Sequence, residues 1–271
     1  MKNNIKSITP APLLQFSRNT YDTFRRVPQL PAAYLHPWRR ESIRRLGEYK
    51  DIHKGKRAFI IGNGPSLKQT DLSELKNEFT FGMNRIYLAF PELGFHTTYF
   101  AAINDLVIEQ FNEDILNLPM PKFLAWHSHR YFPGGLPINR IPTFLYTTYT
   151  GPRFASDVRG RVWEGATVTN VALQIAFFMG FAQVILIGVD HNFTSKGDAN
   201  KTVVSQGDDP NHFSPNYFAK GYKWQLPDLD TSEIGYTFAR DAYRKAGREV
   251  LDATVGGKLT VFPKVDYNSL F

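Results

Sequence analysis

The chain reads as an α/β protein built on one mostly parallel sheet with helices on both faces. Two observations predict this. From Arg57 onward, short apolar runs that end in Gly, Asn or Asp alternate with helical segments, which is the sequence form of repeated strand–helix crossovers. The chain also has 271 residues, 42% of them hydrophobic and 14% aromatic, enough to bury a core without disulfides or structural metal.

The elements follow in order. Residues 1–56 are punctuated by Pro10, Pro12, Pro28, Pro31 and Pro37 and read as an extension of short helices and extended links. Within it, residues 36–47 form a helix carrying Trp38, Ile43 and Leu46 beside four arginines. That helix either lies on acidic headgroups or packs its apolar side on the main domain. Strands are expected at 58–62, 79–82, 98–103, 122–126 and 144–147, and a helix at 105–118. Residues 165–179 are helical and apolar on nearly every side, feeding a central strand at 183–188. The run 171–189 is hydropathic, but Gln174, Gly180, Gln183 and Gly188 divide it into a helix, a turn and a strand rather than a membrane span. A polar stretch at about 192–230 has few apolar residues and the length of a lid. A helix capped by Thr231 then runs to 246, and a last strand covers 249–252. The domain proper is therefore 57–271.

Charge and composition exclude several function classes. Up to Arg57 there are 13 basic and 4 acidic residues, a balance of +9, which leaves −2 for the remainder of a chain of net +7. A nucleic-acid reader carries its positive field across the folded domain; here an anionic membrane or glycolipid surface is the better partner for the basic segment. Cysteine is absent, which removes a disulfide framework, a thiolate zinc site and a cysteine nucleophile. The apolar group at 11–16 is short and broken by Pro12 and Gln15, so no secretory signal is expected. The location expected is the cytoplasm, at the inner face of the membrane.

The sharpest motif is Gly62-Asn63-Gly64-Pro65-Ser66, where the first strand breaks into a tight turn. Gly62 and Gly64 let backbone approach a ligand, Pro65 sets the turn, and Asn63 and Ser66 offer hydrogen bonds to phosphate or ribose. It is neither the dinucleotide fingerprint nor the Walker loop. Asn84 and Asn104 follow the next two strands, and open parallel sheets bind ligands at such carboxyl ends. The central strand ends in Gly188-Val189-Asp190-His191, and Thr167 opens the helix before it. Asp105, Asp190 and His191 are an alternative Mg²⁺ set. In the polar stretch, His212 stands near Asp208 and Asp209, a pairing suited to taking a proton from a hydroxyl.

Taken together, Gly62 to Lys68, Asp71, Asn84, Gly188-Val189-Asp190 and Asn211-His212-Phe213 resemble bacterial CMP-sialic-acid-dependent sialyltransferases of glycosyltransferase family 42. From Arg57 onward, and through Asp252-Ala253-Thr254-Val255-Gly256-Gly257-Lys258-Leu259, the chain is more similar still to the 6-hydroxymethylpterin diphosphokinase MptE-like domains, a family that includes flagellin-glycosylating motility factors. The resemblance implies a Rossmann-like nucleotide-binding fold and inverting transfer from a nucleotide donor. It assigns Asn63 and Ser66 to the phosphate and ribose, Asn84 and Asn104 to the donor, Thr167 to the sugar or nucleotide, Asp190 to the strand end, and His212 to the general base. The sialyltransferases carry tyrosines after the late Gly-x-Asp strand to ease departure of the nucleotide; residues 191–209 contain none, so either His191, Lys196 or Lys201 takes that place or the donor is a different one.

The leading expectation is a glycosyltransferase that moves a sugar, of nonulosonic or related type, from a CMP-type donor to a cell-envelope glycan or glycolipid. It needs no cofactor, with Mg²⁺ as the option, and homo-oligomerisation stays open. The second expectation is a pterin-type diphosphokinase using ATP and Mg²⁺. The third is a nucleotide-binding protein without catalysis.

Overall fold

The computed structural model describes residues 20, 21, 24 and 27–271 apart from 196. The apolar group at 11–16 and Lys196 lie outside the described residues.

Strands β1 (Arg57–Ile61), β2 (Phe79–Met83), β3 (Tyr99–Ala102), β4 (Lys122–Ala125), β5 (Thr143–Thr148) and β6 (Arg161–Trp163) lie side by side in chain order, all parallel. Then the direction of travel reverses. Strand β7 (Gln183–Ile187) returns to the free side of β1, a small antiparallel pair β8 (Thr202–Val204) and β9 (Lys223–Gln225) stands apart, and β10 (Glu249–Asp252) closes the sheet beyond β7. A reversal of this kind leaves a crevice at the carboxyl ends of the two central strands, here β1 and β7. The fold is the α/β, Rossmann-like one that the alternation of elements predicts.

Among the described residues the layers are completed by helices α1 (Leu30–Leu35), α2 (Pro37–Tyr49), α3 (Phe90–Leu93), α4 (Asp105–Asn117), α5 (Val168–Phe178) and α6 (Leu229–Lys245). Ala58 and Ile60 of β1 face the core shared with α5, whereas Phe59 and Ile61 face the core shared with α4, and all four are fully buried. Burial on both faces explains why the strands read as unbroken apolar runs. Helix α5 is apolar all round because the sheet lies on one side of it and α6 on the other. Its buried Gln174 is satisfied completely: the side-chain oxygen accepts from Ala155 and Trp163 amides, and the nitrogen donates to the Trp163 and Asn170 carbonyls. The run 171–189 is thus a helix and a strand, and among the described residues no helix is long and apolar enough to cross a membrane.

Helix α2 packs on the domain. Its Leu46 is fully buried, its Trp38 ring stacks parallel to Phe144 at 6.1 Å, and its Ser42 hydroxyl accepts from the Phe144 amide at 2.9 Å. The last contact caps the part of β5 that β6 leaves unpaired, which shields a strand edge. The arginines serve the protein as well. Arg39 is buried and donates to the Arg159 carbonyl, burial lowering its pKa to about 10. Arg45 donates to the Ile141 carbonyl at 2.6 Å and also reaches that of Ile138, and Arg44 pairs with Glu41 and Glu48. The apolar side of this helix is thus packed on the domain, while Arg40 and Arg44 stay exposed.

Three local expectations change. The cap of α6 is Asp228, whose side chain accepts from the Thr231 amide at 3.1 Å, so the helix begins earlier than Thr231 implies. Strand β6 and the β8–β9 pair are too short to register as periodicity. The stretch 192–230 has a small core of its own, since Tyr217, Phe218 and Leu226 are buried. It crosses the carboxyl rim of the sheet, where the Phe213 amide donates to the Asn63 carbonyl at 2.9 Å.

At the crevice the turn after β1 lies directly against the turn after β7. A Cβ on Gly62 would stand 2.1 Å from the Gly188 carbonyl oxygen, and one on Gly64 1.7 Å from an Asp190 carboxylate oxygen. These glycines are therefore required by the neighbouring turn before any ligand is considered. Gly62→Ala is expected to cost about 1–3 kcal/mol through overpacking, read as a lower urea midpoint; an unchanged midpoint would show that the two turns part without penalty.

Candidate functional site

The crevice opens into an inner chamber of about 180 Å³ between the β1 and β7 turns, and then into an outer chamber of about 540 Å³ towards β3 and β9. The two share a wall that includes Asn84, Thr167, Phe193, His212 and Tyr217.

The inner chamber collects much of the motif set. Asn63 donates its side-chain amide to the Met83 carbonyl at 3.1 Å, and its side-chain oxygen is buried with no partner. The Asn84 side-chain oxygen is likewise buried and unpartnered. Buried acceptors are normally satisfied, so two orphaned ones lining one cavity mark a place for donors brought by a ligand. Asn84, Ala166 and His191 line this chamber with left-handed backbone, at φ of +51°, +56° and +53°. Such strain in residues with side chains gathers at functional sites. Gly165 and Ala166, both left-handed, turn the chain so that α5 begins at the chamber, with Thr167 capping the Thr169 amide at 3.2 Å. The amino end of a helix favours an anion.

Ser66 and Asp190 form a clamp. The Ser66 hydroxyl donates to the Asp190 carboxylate at 2.7 Å and the Ser66 amide at 3.2 Å, while the Asp190 backbone carbonyl accepts from the Lys258 backbone amide at 2.8 Å. Ser66 is buried and its hydroxyl is spent on this carboxylate. Asp190 lines the inner chamber; burial pushes its pKa up, and the Ser66 hydroxyl and amide pull it back. Pro65 opens the short 3₁₀ turn Pro65–Gln69 behind the clamp.

His212 stands in the shared wall with its Nδ1 2.7 Å from Asp209, both side chains being nearly buried. An ionised carboxylate only accepts, so beside it the neutral imidazole carries its proton on Nδ1 and leaves the Nε2 lone pair open, the tautomer a general base requires. The ring stacks on Tyr217 at 3.9 Å and 4°. Tyr217 is held in turn by Arg85, whose backbone amide donates to the phenol oxygen and whose guanidinium lies 3.8 Å from the Phe111 ring centroid.

Other predicted residues are placed differently. Asn104 lines the outer chamber, but its side-chain oxygen caps α4 through the Leu106 and Val107 amides and its nitrogen bonds Gln225. His191 reaches the chamber wall while its Nε2 pairs with Glu233 at 2.9 Å. Lys201 is exposed and lines neither chamber, and Lys196 lies outside the described residues. The alternative metal set does not form. Asp105 is tied to Arg130 at 2.7 Å and Ser128 at 2.9 Å, Asp190 to Ser66, and His191 to Glu233. The β3 and β7 ends are three strand spacings apart, about 14 Å, and among the described residues no three His, Asp or Glu side chains meet as metal ligands.

One cluster escapes sequence reading. The Tyr149 hydroxyl donates to Asp228 at 2.6 Å and accepts from the Asn200 amide at 2.6 Å. These residues come from the loop after β5, the polar stretch and the cap of α6, and the Asp228 cap was the single local signal. Burial and the Asp228 carboxylate push the Tyr149 phenol up.

The clamp yields a pH test. Because the Asp190 pKa is raised above 3.8 in the fold, the folded chain holds its proton longer than the unfolded one, and stability falls as pH rises from the ordinary aspartate value towards the raised one. Ser66→Ala removes a bond to a charged group, expected to cost about 1.5–3 kcal/mol, and extends that fall to higher pH. Urea unfolding at pH 4 to 7 reads both; a variant with wild-type stability throughout would remove the clamp from the fold's energetics.

Comparison with known proteins adds the lineage. A solved structure similar to the chain is that of MAf glycosyltransferase from Magnetospirillum magneticum AMB-1, at 17% sequence identity and a TM-score of 0.44, covering 97% of this chain and 43% of that one. The chain thus spans less than half the length of that protein. No curated protein matches the chain. The family described as 6-hydroxymethylpterin diphosphokinase MptE-like matches residues 38–196, which run from α2 through the glycine turn to the end of β7 and beyond, and the chain belongs to that family.

Proposed function

We propose that the chain is a glycosyltransferase that moves a sugar from a CMP-type donor to a hydroxyl of a cell-envelope glycan, with inversion. In this reaction the acceptor oxygen bonds the anomeric carbon, the bond from that carbon to the phosphate oxygen breaks, the nucleotide leaves with the electron pair, and the acceptor proton goes to Nε2 of His212. The observation that carries the reading is His212, oriented by Asp209, in the one wall common to both chambers. A donor in the inner chamber and an acceptor in the outer one meet at that wall.

Charge supports a single phosphate. Among the described residues no Lys or Arg lines either chamber, so the α5 amino end is the main positive element for the leaving group. One phosphodiester suits it better than a polyphosphate. The family's name favours a second reading, diphosphoryl transfer from ATP to a pterin alcohol. That chemistry neutralises several phosphate charges with cations, and the carboxylates that would hold Mg²⁺ stand on separate partners. Both readings are group transfers from a nucleotide. Under the first, the basic opening segment, at +9 up to Arg57, holds the protein to an anionic membrane surface where glycolipid acceptors reside.

A thermal-shift series with CMP, CDP, UDP, GDP and ATP tests the donor, since a ligand bound only by the folded form raises the melting temperature. CMP is expected to give the largest rise; a response to ATP alone, dependent on Mg²⁺, reverses the order of the readings. His212→Ala is expected to keep the CMP response and to lose about 10²- to 10⁴-fold in turnover. Wild-type turnover in that variant removes His212 from the mechanism.

A further inference from the structure

Resting on the reading of the inner chamber as the donor site, we infer that Thr254 is a positioning residue for the nucleotide: it fixes the turn after β7, and the Asp252–Lys264 pair fixes Thr254. The turn from Gly188 to His191 lines the inner chamber along its whole length. From one side the glycine turn grips it, through the Gly62 and Gly64 amides and through Ser66. From the other side the segment after β10 does the same. The Val189 amide donates to the Thr254 hydroxyl oxygen at 3.2 Å, the Lys258 amide to the Asp190 carbonyl at 2.8 Å, and the Ala253 amide to the Leu186 carbonyl at 2.8 Å. His191, at a φ of +53°, ends the turn in left-handed backbone, a conformation that persists in a residue with a side chain where the surroundings over-determine it.

Behind the turn lies a buried charge. Asp252 is fully buried and Thr254 nearly so. One Asp252 carboxylate oxygen accepts from the Thr254 amide at 2.9 Å, and the other accepts from Lys264 Nζ at 2.6 Å, which also donates to the Gly257 carbonyl at 3.1 Å. Taking a carboxylate out of water is costly, and a buried ion pair is a weak source of net stability. What this one provides is a fixed geometry, passed from Lys264 through Asp252 to the Thr254 backbone and from the Thr254 hydroxyl to the turn. Its charge reaches the site as well, since burial pushes the Asp190 carboxyl up and Asp252 adds to that push. Gly257 lets the chain fold back over Thr254: a Cβ there would stand 2.9 Å from the threonine Cβ and Cγ2. Removing the hydroxyl leaves the Val189 amide without its acceptor, so the chamber wall moves and nucleotide binding weakens.

Calorimetric titration of the whole chain with CMP, and with ATP and Mg²⁺ as the second probe, tests this beside urea midpoints. Thr254→Val is expected to weaken CMP binding about tenfold, the equivalent of one hydrogen bond. Thr254→Ser keeps the hydroxyl and is expected to restore it. Tyr243→Phe removes a different buried hydrogen bond, from the phenol to the Leu173 carbonyl at 2.8 Å, away from both chambers; it is expected to lower the urea midpoint and leave CMP binding unchanged. If the valine variant does not fold, Lys264→Met, which removes a partly exposed partner, takes its place with the same expected loss. Wild-type affinity in the variant so tested overturns the inference, as does a serine variant as weak as the valine one or a Tyr243→Phe variant that loses CMP equally. If ATP is the nucleotide that binds, the same comparisons are read with ATP. A wild-type chain that binds neither fails the donor reading and the inference with it, whereas wild-type binding that Thr254→Val retains sinks the inference alone.

Discussion

The site depends on how closely two turns approach at the point where the strand order reverses. The Gly62 amide donates to the Ile187 carbonyl at 2.7 Å and the Gly64 amide to the Gly188 carbonyl at 2.9 Å, so the β1–β7 ladder continues past the ends of both strands. A side chain at either glycine would collide with the opposing turn. The contact draws the Asp190 carboxylate onto Ser66 and fixes the floor of the inner chamber. A ligand there meets backbone and short polar groups, because nothing larger fits between the turns.

The second half of the site is hung on this floor. Phe213 is tied by its amide to the carbonyl of Asn63 within the glycine turn, and His212 is the residue before it. Asp209 orients the imidazole, Tyr217 supports its face, and Arg85, at the end of β2, holds Tyr217 and Asn216 from below. The polar stretch is thus fixed at several points along the same rim that supplies Asn63 and Asn84. Its length serves the span across the sheet, and its buried aromatic residues give it the packing to hold one conformation over the cavity.

Charge is divided between surface and site in an informative way. Of the α2 arginines, Arg39 and Arg45 donate to carbonyls of the domain and Arg44 pairs with Glu41 and Glu48 within the helix, so part of the basicity there fastens the helix to the sheet edge. The chambers are lined without basic side chains among the described residues. The start of α5, oriented by the left-handed pair Gly165 and Ala166, gives the inner chamber a positive element. A helix end offers a modest, directional field, suited to one phosphate group.

Sequence alone determined the layers and the rim. Runs such as 58–62 and 183–188 are apolar because both faces are buried, and each ends where Gly, Asn or Asp lets the chain leave the sheet, so strand ends and their motifs are visible locally. It also marked Asn63, Asn84 and His212, whose side chains come to the chambers. Tertiary structure decided what each polar group is free to do. Ser66 resembles a ligand donor until Asp190 occupies it, Asn104 resembles a third amide for the donor until α4 uses it as a cap, and Asp105, Asp190 and His191 resemble a metal set until the strand order separates them. Tyr149, Asn200 and Asp228 join from segments far apart in sequence, a meeting no local pattern encodes. The reason is the range of the forces: periodicity and turn chemistry act between near neighbours, whereas a hydrogen-bond partner is chosen by whichever group the packed sheet brings within about 3 Å.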